Sequence, residues 1–502
     1  MHGTWRTHCG SVYRASPDKH RCSRVLPHSE CDRGCGALNR PTRPDHRPNR
    51  FNVFRNRPGY LAFQERILTD ARAKVVVREQ SNVQGPFKKF LRTIGPGFIT
   101  GASDDDPSGI GTYSQAGAQL GFNIGWTMLF TFPLMSAIQE IAARIGRTTG
   151  KGISGNLSRY YPASLMYFVV SLLFAANAIN IGADLSAMAE ALKLLIGGPS
   201  SIYVLAFALT SVTAIAFIRY SRYVTILKWT TLSLFAYVVA MFFANVAWAE
   251  AAKGLLIPHV EWSGAFFTTL VAILGTTISP YLFFWQASQE VEEEELKPIA
   301  KPLKRAPWQA VRAFERIRAD TLIGMALSNL IAVAIIFTTA ATLHKAGVTD
   351  ISSSTDAAKA LEPVAGKFAF IVFSAGIIGT GLLAVPVLAG SAAFAVGEAM
   401  HWPVGLERKP KEAAAFYATL ATATALGTGI MFTPIDPIKA LYWSAVINGI
   451  CAVPVMVVMM LMASRADIMG EFQVRGWLRL LGWLSTIAMT LAALGLVAQW
   501  FF

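Results

Sequence analysis

The chain has 502 residues, 53% of them hydrophobic and only 15% charged, with a mean hydropathy of +0.41. Soluble domains carry about 25% charged residues, so this balance excludes an ordinary soluble protein and describes a polytopic membrane protein surrounded by a lipid bilayer. The formal net charge of +14 does not point to a nucleic-acid partner: residues 1–92 hold 19 Lys+Arg against 7 Asp+Glu, a net of +12, so the charge belongs to a tail.

Residues 1–90 lack a periodic apolar pattern and are rich in Pro and Arg in their first sixty or so positions, the composition of a disordered basic extension. They contain no apolar core of signal-peptide type. Cys9, Cys22, Cys31 and Cys35 lie here, near His8, His20 and His28, but no two form a CxxC pair, so a zinc knuckle is disfavoured. The next methionine after Met1 is Met128, so a shorter product would need a non-Met start codon.

From there, residues 91–502 read as one transmembrane body of about 11 helices. Hydropathy places the spans near 93–118, 122–143, 164–188, 201–218, 226–248, 265–289, 320–343, 367–399, 412–431, 438–463 and 478–501. The connections after the even spans carry the cations: Arg147, Lys151 and Arg159; Arg219 and Arg222; Lys301, Lys304, Arg305, Arg312 and Arg316; Arg408, Lys409 and Lys411; Arg465, Arg475 and Arg479. Positive loops stay inside, so the N-terminus is expected in the cytoplasm and the C-terminus outside. The longest connection, about 290–319, opens with Glu290 and Glu292 to Glu295, then turns basic and amphipathic through Trp308 to Arg318. The acidic run is expected to be a solvated helix end.

Two spans are interrupted. The first reads GPGFITGASDDDPSGIGTYSQAGA over residues 95–118, with Asp104, Asp105 and Asp106 followed by Pro107 and Gly109. A carboxylate inside an apolar span is costly and marks function, and Pro and Gly break the helix beside it. The sixth breaks at Thr276-Thr277-Ile278-Ser279-Pro280. Broken helices five spans apart point to an inverted 5+5 repeat, about 93–248 and 265–463, with helix 478–501 outside it and the binding site between the two breaks.

Carboxylates and carbonyls freed by a break accept cations, and an all-oxygen ligand set favours hard divalent ions. The candidate metal ligands are Asp106, Asp105, Ser103 and Gly109 in the first break and Thr276 and Ser279 in the sixth span. Adjacent carboxylates on a helix point about 100° apart, so the three aspartates do not all face one ion; Asp104 is assigned to the approach. Tyr281, Asn180, Asp184 and Asn448 are candidate pathway residues. Asn177, Asn180 and Asp184 share one face of the third span and either line the path or lock it to its neighbours. Gln139, Glu140 and Arg144 read as a structural group. Gly376, Gly379 and Gly381 read as close packing or a hinge.

These motifs resemble the Nramp family of divalent-metal transporters. The first break aligns without gaps to that family's Asp-Pro-Gly-Asn pattern, with Gly95-Pro96-Gly97 and Gln115-Ala116-Gly117-Ala118 in place. GTTISPYLFFWQAS resembles its Met-Pro-His segment, and Ala183-Asp184-Leu185 also fits. The likeness runs from about residue 90 to the end. It implies a LeuT-like fold and divalent-metal transport through Asp106, with no cofactor. Gly109 stands where the family has Asn, Ser279 where it has a thioether, Tyr281 where it has His, and Gln286 near its second His. The span 412–431 lacks the arginines of proton-coupled members. Loss of the sulfur removes the preference for softer metals and suits a partly hydrated Mg²⁺ ion, as in the Nramp-related magnesium transporters. Loss of the histidines and arginines favours uncoupled uptake, for which a divalent ion gains about 4.6 kcal/mol per 100 mV. The expected function is import of Mg²⁺ or Mn²⁺ across a bacterial inner membrane. The alternatives are a proton-coupled Mn²⁺/Fe²⁺ symporter using Asp104 or Asp105, and a cation-binding receptor or scaffold, which has no reason to open two helices. An enzyme is disfavoured: there is no HExxH motif, and His259, His344 and His401 sit at loop edges.

Overall fold

The computed structural model describes residues 96–218, 234–351, 353–360, 366, 369–429 and 435–499. The basic tail and the Arg219–Arg222 connection, on which two of the expectations above fall, lie outside these.

All the long elements are helices. The first expected span is split into α1 (Pro96–Asp104) and α2 (Pro107–Leu120). The chain then turns through 109° into α3 (Trp126–Thr149). Gly121 makes this turn at φ +61°, a left-handed conformation that a Cβ would strain. A short α4 (Ile153–Tyr160) precedes the third to fifth spans, α5 (Ala163–Ile196), α6 (Ser200–Phe217) and α7 (Phe235–Phe243). The connection to the second half contains α8 (Trp248–Leu256).

The sixth span is also split, into α9 (Gly264–Thr277) and α10 (Pro280–Leu296). The remainder comprises α11 (Ala310–Thr339), α12 (Ser354–Lys359), α13 (Ala369–Ala399), α14 (Ala414–Gly429), α15 (Pro437–Ser464), α16 (Ala466–Met469) and α17 (Gly476–Ala498). Every expected span falls on a helix. Among the described residues, seven helical stretches are individually long and apolar enough to cross a bilayer, or eight counting the bent pair. The first span fails that test alone because its aspartates cut it in two, and α7 and α14 end beside residues that are not described.

Helix packing brings the two breaks together. α9 lies along α15, α11 along α1, α10 along α3, and α13 along α5. Between helices in lipid there is no hydrophobic gain, so close approach through small residues supplies the attraction. Gly101 faces Gly324 so closely that an added Cβ would lie 2.3 Å from the Gly324 carbonyl carbon. Gly381 packs against side chains instead, its added Cβ lying 2.4 Å from Met188 Sδ and 3.2 Å from Pro107 Cγ beside the first break.

The loops segregate onto two faces. On one, Leu303 and Lys304 donate backbone hydrogen bonds to the Arg147 and Thr148 carbonyls, Lys304 Nζ reaches the Asp467 carbonyl, the Glu407 amide donates to Glu292, and the Arg465 guanidinium lies over Tyr161. These are the cation-rich connections. On the other, Trp126 bonds the His259 carbonyl, Gln115 the Thr349 carbonyl, Lys345 the Asn245 carbonyl, and Gln499 the Ser263 carbonyl.

The acidic end of α10 departs from expectation. It is no solvated cap: Glu290 is 1% exposed and Glu294 8%. Arg316 bonds Glu290 at 2.5 Å and Glu293 at 2.8 Å, tying α11 to α10, while Arg147 pairs with Glu294 and also reaches the Lys301 carbonyl and Gln309. Glu292 accepts from the Glu407 amide. Glu290 and Glu294 are buried because distant cations meet them, Glu292 and Glu293 are partly buried, and Glu295 alone of the run stays exposed. Removing one partner of such a pair strands the other, a loss of about 3 kcal/mol. Arg147→Met is therefore expected to lower the melting temperature in detergent sharply, and adding Glu294→Gln to recover most of the loss. If the single variant melts like the wild type, the pair is not stabilising.

Candidate metal site at the paired helix breaks

Asp106 caps α2. Its backbone is extended (φ −70°, ψ 172°), and Oδ1 accepts from the Gly109 amide at 2.7 Å and the Ser108 hydroxyl at 2.6 Å. Pro107 at the first helical position has no N–H to satisfy, so the sequence Asp-Pro-Ser-Gly starts a helix and stops the previous one at Asp104. The other carboxylate oxygen looks outward from the cap. It accepts from Asn180 Nδ2 on α5 at 3.1 Å and from the Tyr281 hydroxyl on α10 at 3.3 Å.

That oxygen is the hub of a cluster that draws on α1, α2, α5, α10 and α15. The same Tyr281 hydroxyl lies 3.1 Å from the Ser103 carbonyl, freed by the end of α1, so its one proton is shared between the two acceptors. Asn180 reaches Asp184 at 3.3 Å, and Asn448 on α15 donates to Asn180 Oδ1 at 3.1 Å. Ser391 on α13 holds the Tyr281 carbonyl at 2.8 Å. The structure thus joins Asp106, Ser103, Tyr281, Asn180, Asp184 and Asn448. Asn177, on the same face of α5, instead donates to the Leu388 carbonyl and locks α5 to α13. The shared face divides into a half joined to Asp106 and a half bonded to α13.

Asp104 and Asp105 stand apart. Ser328 on α11 donates to Asp104 Oδ2 at 2.6 Å and reaches Asp105 Oδ1 at 3.1 Å. Adjacent carboxylates of one helix end diverge, and α11 takes up the pair that Asp106 leaves behind. Nothing in the sequence singled out Ser328, a lone small hydroxyl in an apolar span.

The second break supplies backbone. Ile278 and Ser279 separate α9 from α10, and their conformations leave the helical region. The side chains there look back: Thr276 Oγ1 donates to the Ala272 carbonyl, and Ser279 Oγ lies 2.8 Å from the Gly275 and 2.7 Å from the Thr276 carbonyl. Both hydroxyl protons are committed to their own helix, which leaves the oxygen lone pairs as their contribution to a cation. Gly109 has no side chain to offer, and its amide is held by Asp106. A Cβ there would lie 3.2 Å from Thr276 Cγ2, so a side chain at this position requires that methyl group to give by a few tenths of an ångström.

Electrostatically the site is one-sided. Asp104, Asp105, Asp106 and Asp184 are at most 2% exposed, and none pairs with a Lys, Arg or His among the described residues. Three buried acceptors, Asp104 Oδ1, Asp184 Oδ1 and Asn448 Oδ1, have no donor. Buried acceptors are almost always satisfied, so this concentration of negative oxygen calls for a positive ligand. No cluster of three or more His, Cys, Asp and Glu able to hold a metal occurs among the described residues; the other polar groups around these carboxylates are amides, hydroxyls and carbonyls. Further along α10, Gln139 donates to the Leu282 carbonyl and to Gln286, which donates to Thr321, so Gln286 belongs to a bridge joining α3, α10 and α11. Glu140 pairs with Arg144 at 2.5 Å, the structural grouping expected of them.

The family profile described as Natural resistance-associated macrophage protein-like matches residues 97–499. The chain belongs to the Nramp family. A divalent metal cation transporter, MntH, of Klebsiella pneumoniae (strain 342) is 26% identical over 415 residues, covering 81% of this chain and 93% of that one. Among solved structures, a manganese transporter of Eremococcus coleocola bound to an aromatic bis-isothiourea compound superposes with a TM-score of 0.64 at 18% identity, covering 82% of this chain and 87% of that one. MhsT bound to L-phenylalanine superposes at 0.55 with 12% identity, over 80% of this chain and 98% of that one. These likenesses place this Nramp chain in the LeuT-like fold, an integral multi-pass membrane architecture with a 5+5 inverted repeat and broken helices 1 and 6.

Proposed function

We propose that the protein carries divalent metal cations across the membrane, with Mg²⁺ as the principal ion and Mn²⁺ also accepted, by uncoupled, potential-driven import. The observation that carries this reading is the set of buried carboxylates without a cationic partner where two helices open. Relatives named as divalent metal and manganese transporters support transport as opposed to catalysis or static binding. The ligand set supports the hard ion: Asp106 and Tyr281 present oxygens, the Asn180 amide turns its nitrogen to Asp106 and its oxygen to Asn448, Ser279 stands where a sulfur ligand stands in the family, and a few direct ligands suit an ion that keeps part of its water. Orientation with the cation-rich face in the cytoplasm follows the positive-inside rule.

A second reading, proton-coupled Mn²⁺ or Fe²⁺ symport, is favoured by one feature. Asp104 and Asp105 share the single hydroxyl of Ser328, away from Asp106, where one of them can hold a proton. Proteoliposome uptake with internal pH followed alongside separates the readings. Uncoupled carriage predicts Mg²⁺ entry driven by a membrane potential with no stoichiometric acidification, and retention of uptake in Asp104→Asn. Proton entry in fixed ratio to metal would establish the symport reading. No uptake of any divalent ion would end both.

Selectivity is tested at the second break. Ser279→Met places a soft thioether there and removes the hydroxyl bonds to the Gly275 and Thr276 carbonyls. Uptake of Mn²⁺ or Cd²⁺ relative to Mg²⁺ is expected to rise about tenfold, equivalent to about 1.4 kcal/mol. An unchanged ratio in competition uptake would count against the softness argument.

A further inference from the structure

The segment after α10 has a charge that transport does not use. Residues 297–318 hold seven Lys or Arg against Glu315 alone. The structure folds it around a cleft of about 920 Å³, lined by Arg147, Lys297, Ile299, Trp308, Arg312 and Arg316 among others. Most of the charges in the cleft are spoken for: Arg147 by Glu294, Arg316 by Glu290 and Glu293, Lys297 by Glu293. Arg312 is different. It is exposed, lines the cleft, and has no ion pair or hydrogen bond among the described residues. Lys301 and Arg305 are likewise exposed on the same stretch.

Beside these cations lies a set of apolar side chains that no element among the described residues covers. Ile299 is 85% exposed, Trp308 76%, Val311 71% and Leu296 60%. Ile299 and Trp308 line the same cleft as Arg312. Unpaired cations beside a bare tryptophan and aliphatic side chains match a molecule with an anionic head and apolar chains. The segment also sits on the cation-rich face, where the headgroups of the inner leaflet lie. A soluble anion would satisfy Arg312 and leave the apolar side chains in water. A neutral lipid would cover them and leave Arg312 unpaired.

We propose that this cleft is a binding site for an anionic phospholipid of the cytoplasmic leaflet. The headgroup phosphate meets Arg312, with Lys301 and Arg305 adding field, and the acyl chains run against Trp308, Val311 and Ile299. A lysine or arginine near a membrane surface contributes about 1 kcal/mol of attraction to anionic lipid, so loss of one such charge weakens binding about fivefold. The proposal depends on the cytoplasmic orientation of this face and not on which ion is carried.

The test is native mass spectrometry of the full-length protein, released from bilayers containing phosphatidylcholine and phosphatidylglycerol in equal amounts. Wild type is expected to retain phosphatidylglycerol in preference to phosphatidylcholine. Arg312→Gln should retain about fivefold less, Arg312→Lys should restore it, and Trp308→Ala should weaken retention of both lipids. Arg159→Gln, on a different cation-rich connection, should leave it unchanged. Melting temperature in detergent checks that each variant is folded. Equal retention of the two lipids, or phosphatidylglycerol retention that Arg312→Gln does not reduce, overturns the proposal. Equal stabilisation of lipid-free protein by inorganic phosphate, lost in Arg312→Gln, would assign the cleft to a free anion and overturn it too.

Discussion

Asp106→Ala is expected to reduce divalent-cation uptake more than about 100-fold, beyond the 10- to 100-fold that loss of an outer-shell partner alone produces at metal sites. The carboxylate has two jobs on two oxygens. Oδ1 caps α2 through the Gly109 amide and the Ser108 hydroxyl, and the second oxygen holds Asn180 and Tyr281 in the cluster. Alanine removes both, so a failure to transport in that variant alone would be ambiguous between a lost ligand and a lost cap, worth about 1 kcal/mol. Asp106→Asn separates them. Its amide oxygen still caps α2, but the negative charge that makes a divalent ion stable at this depth is gone. We expect Asp106→Asn to fold and melt like the wild type and still to lose uptake. Substantial uptake by a folded Asp106→Asn would remove Asp106 from the transport site. Asp105→Asn, which faces Ser328 instead of the cluster, is expected to keep uptake within a few-fold.

How far the sequence discloses this site depends on how local each feature is. Span number, the two breaks and the alternation of loop charge are written in runs of adjacent residues, because lipid imposes a length on each helix and proline and aspartate end it where they stand. The same locality assigned Asp106 and separated it from its neighbours. The fate of the α10 glutamates was illegible for the opposite reason. Their neutralisation depends on Arg147 and Arg316, which approach only when α3 and α11 pack on α10. Ser328 was missed for want of any local signal. Thr276 and Ser279 show a third limit: their residue types suggest oxygen ligands, yet their hydroxyl protons are used by their own helix. Gly109 is a candidate ligand by position alone; in the fold it lies close to Thr276 on α9.

That close approach has a counterpart one residue away, and it yields the second large effect. Gly275 on α9 meets α15 with no room for a side chain: a Cβ would lie 2.1 Å from the Ala445 carbonyl oxygen and 2.5 Å from the Gly449 amide. Gly449 returns the contact, its own Cβ position falling 2.7 Å from the Val271 carbonyl. Backbone cannot swing aside as a side chain does, so Gly275→Ala must push α9 from α15 by about 1 Å, an overpacking strain of about 1–3 kcal/mol. The displacement matters beyond stability. The Gly275 and Thr276 carbonyls anchor Ser279, and Asn448 on α15 reaches Asn180, which holds Asp106. Pushing the two helices apart therefore loosens both halves of the site at once. Gly275→Ala is expected to lower the melting temperature and to cut uptake more than stability alone would explain, by about tenfold at a temperature where the protein remains folded, the loss that about 1.4 kcal/mol produces. Gly429→Ala, where nothing among the described residues lies within 4 Å of the new Cβ, is the matched control and should leave both quantities unchanged. If Gly275→Ala transports normally while melting lower, the contact is packing alone, and the coupling between the α9–α15 seam and the metal site does not hold.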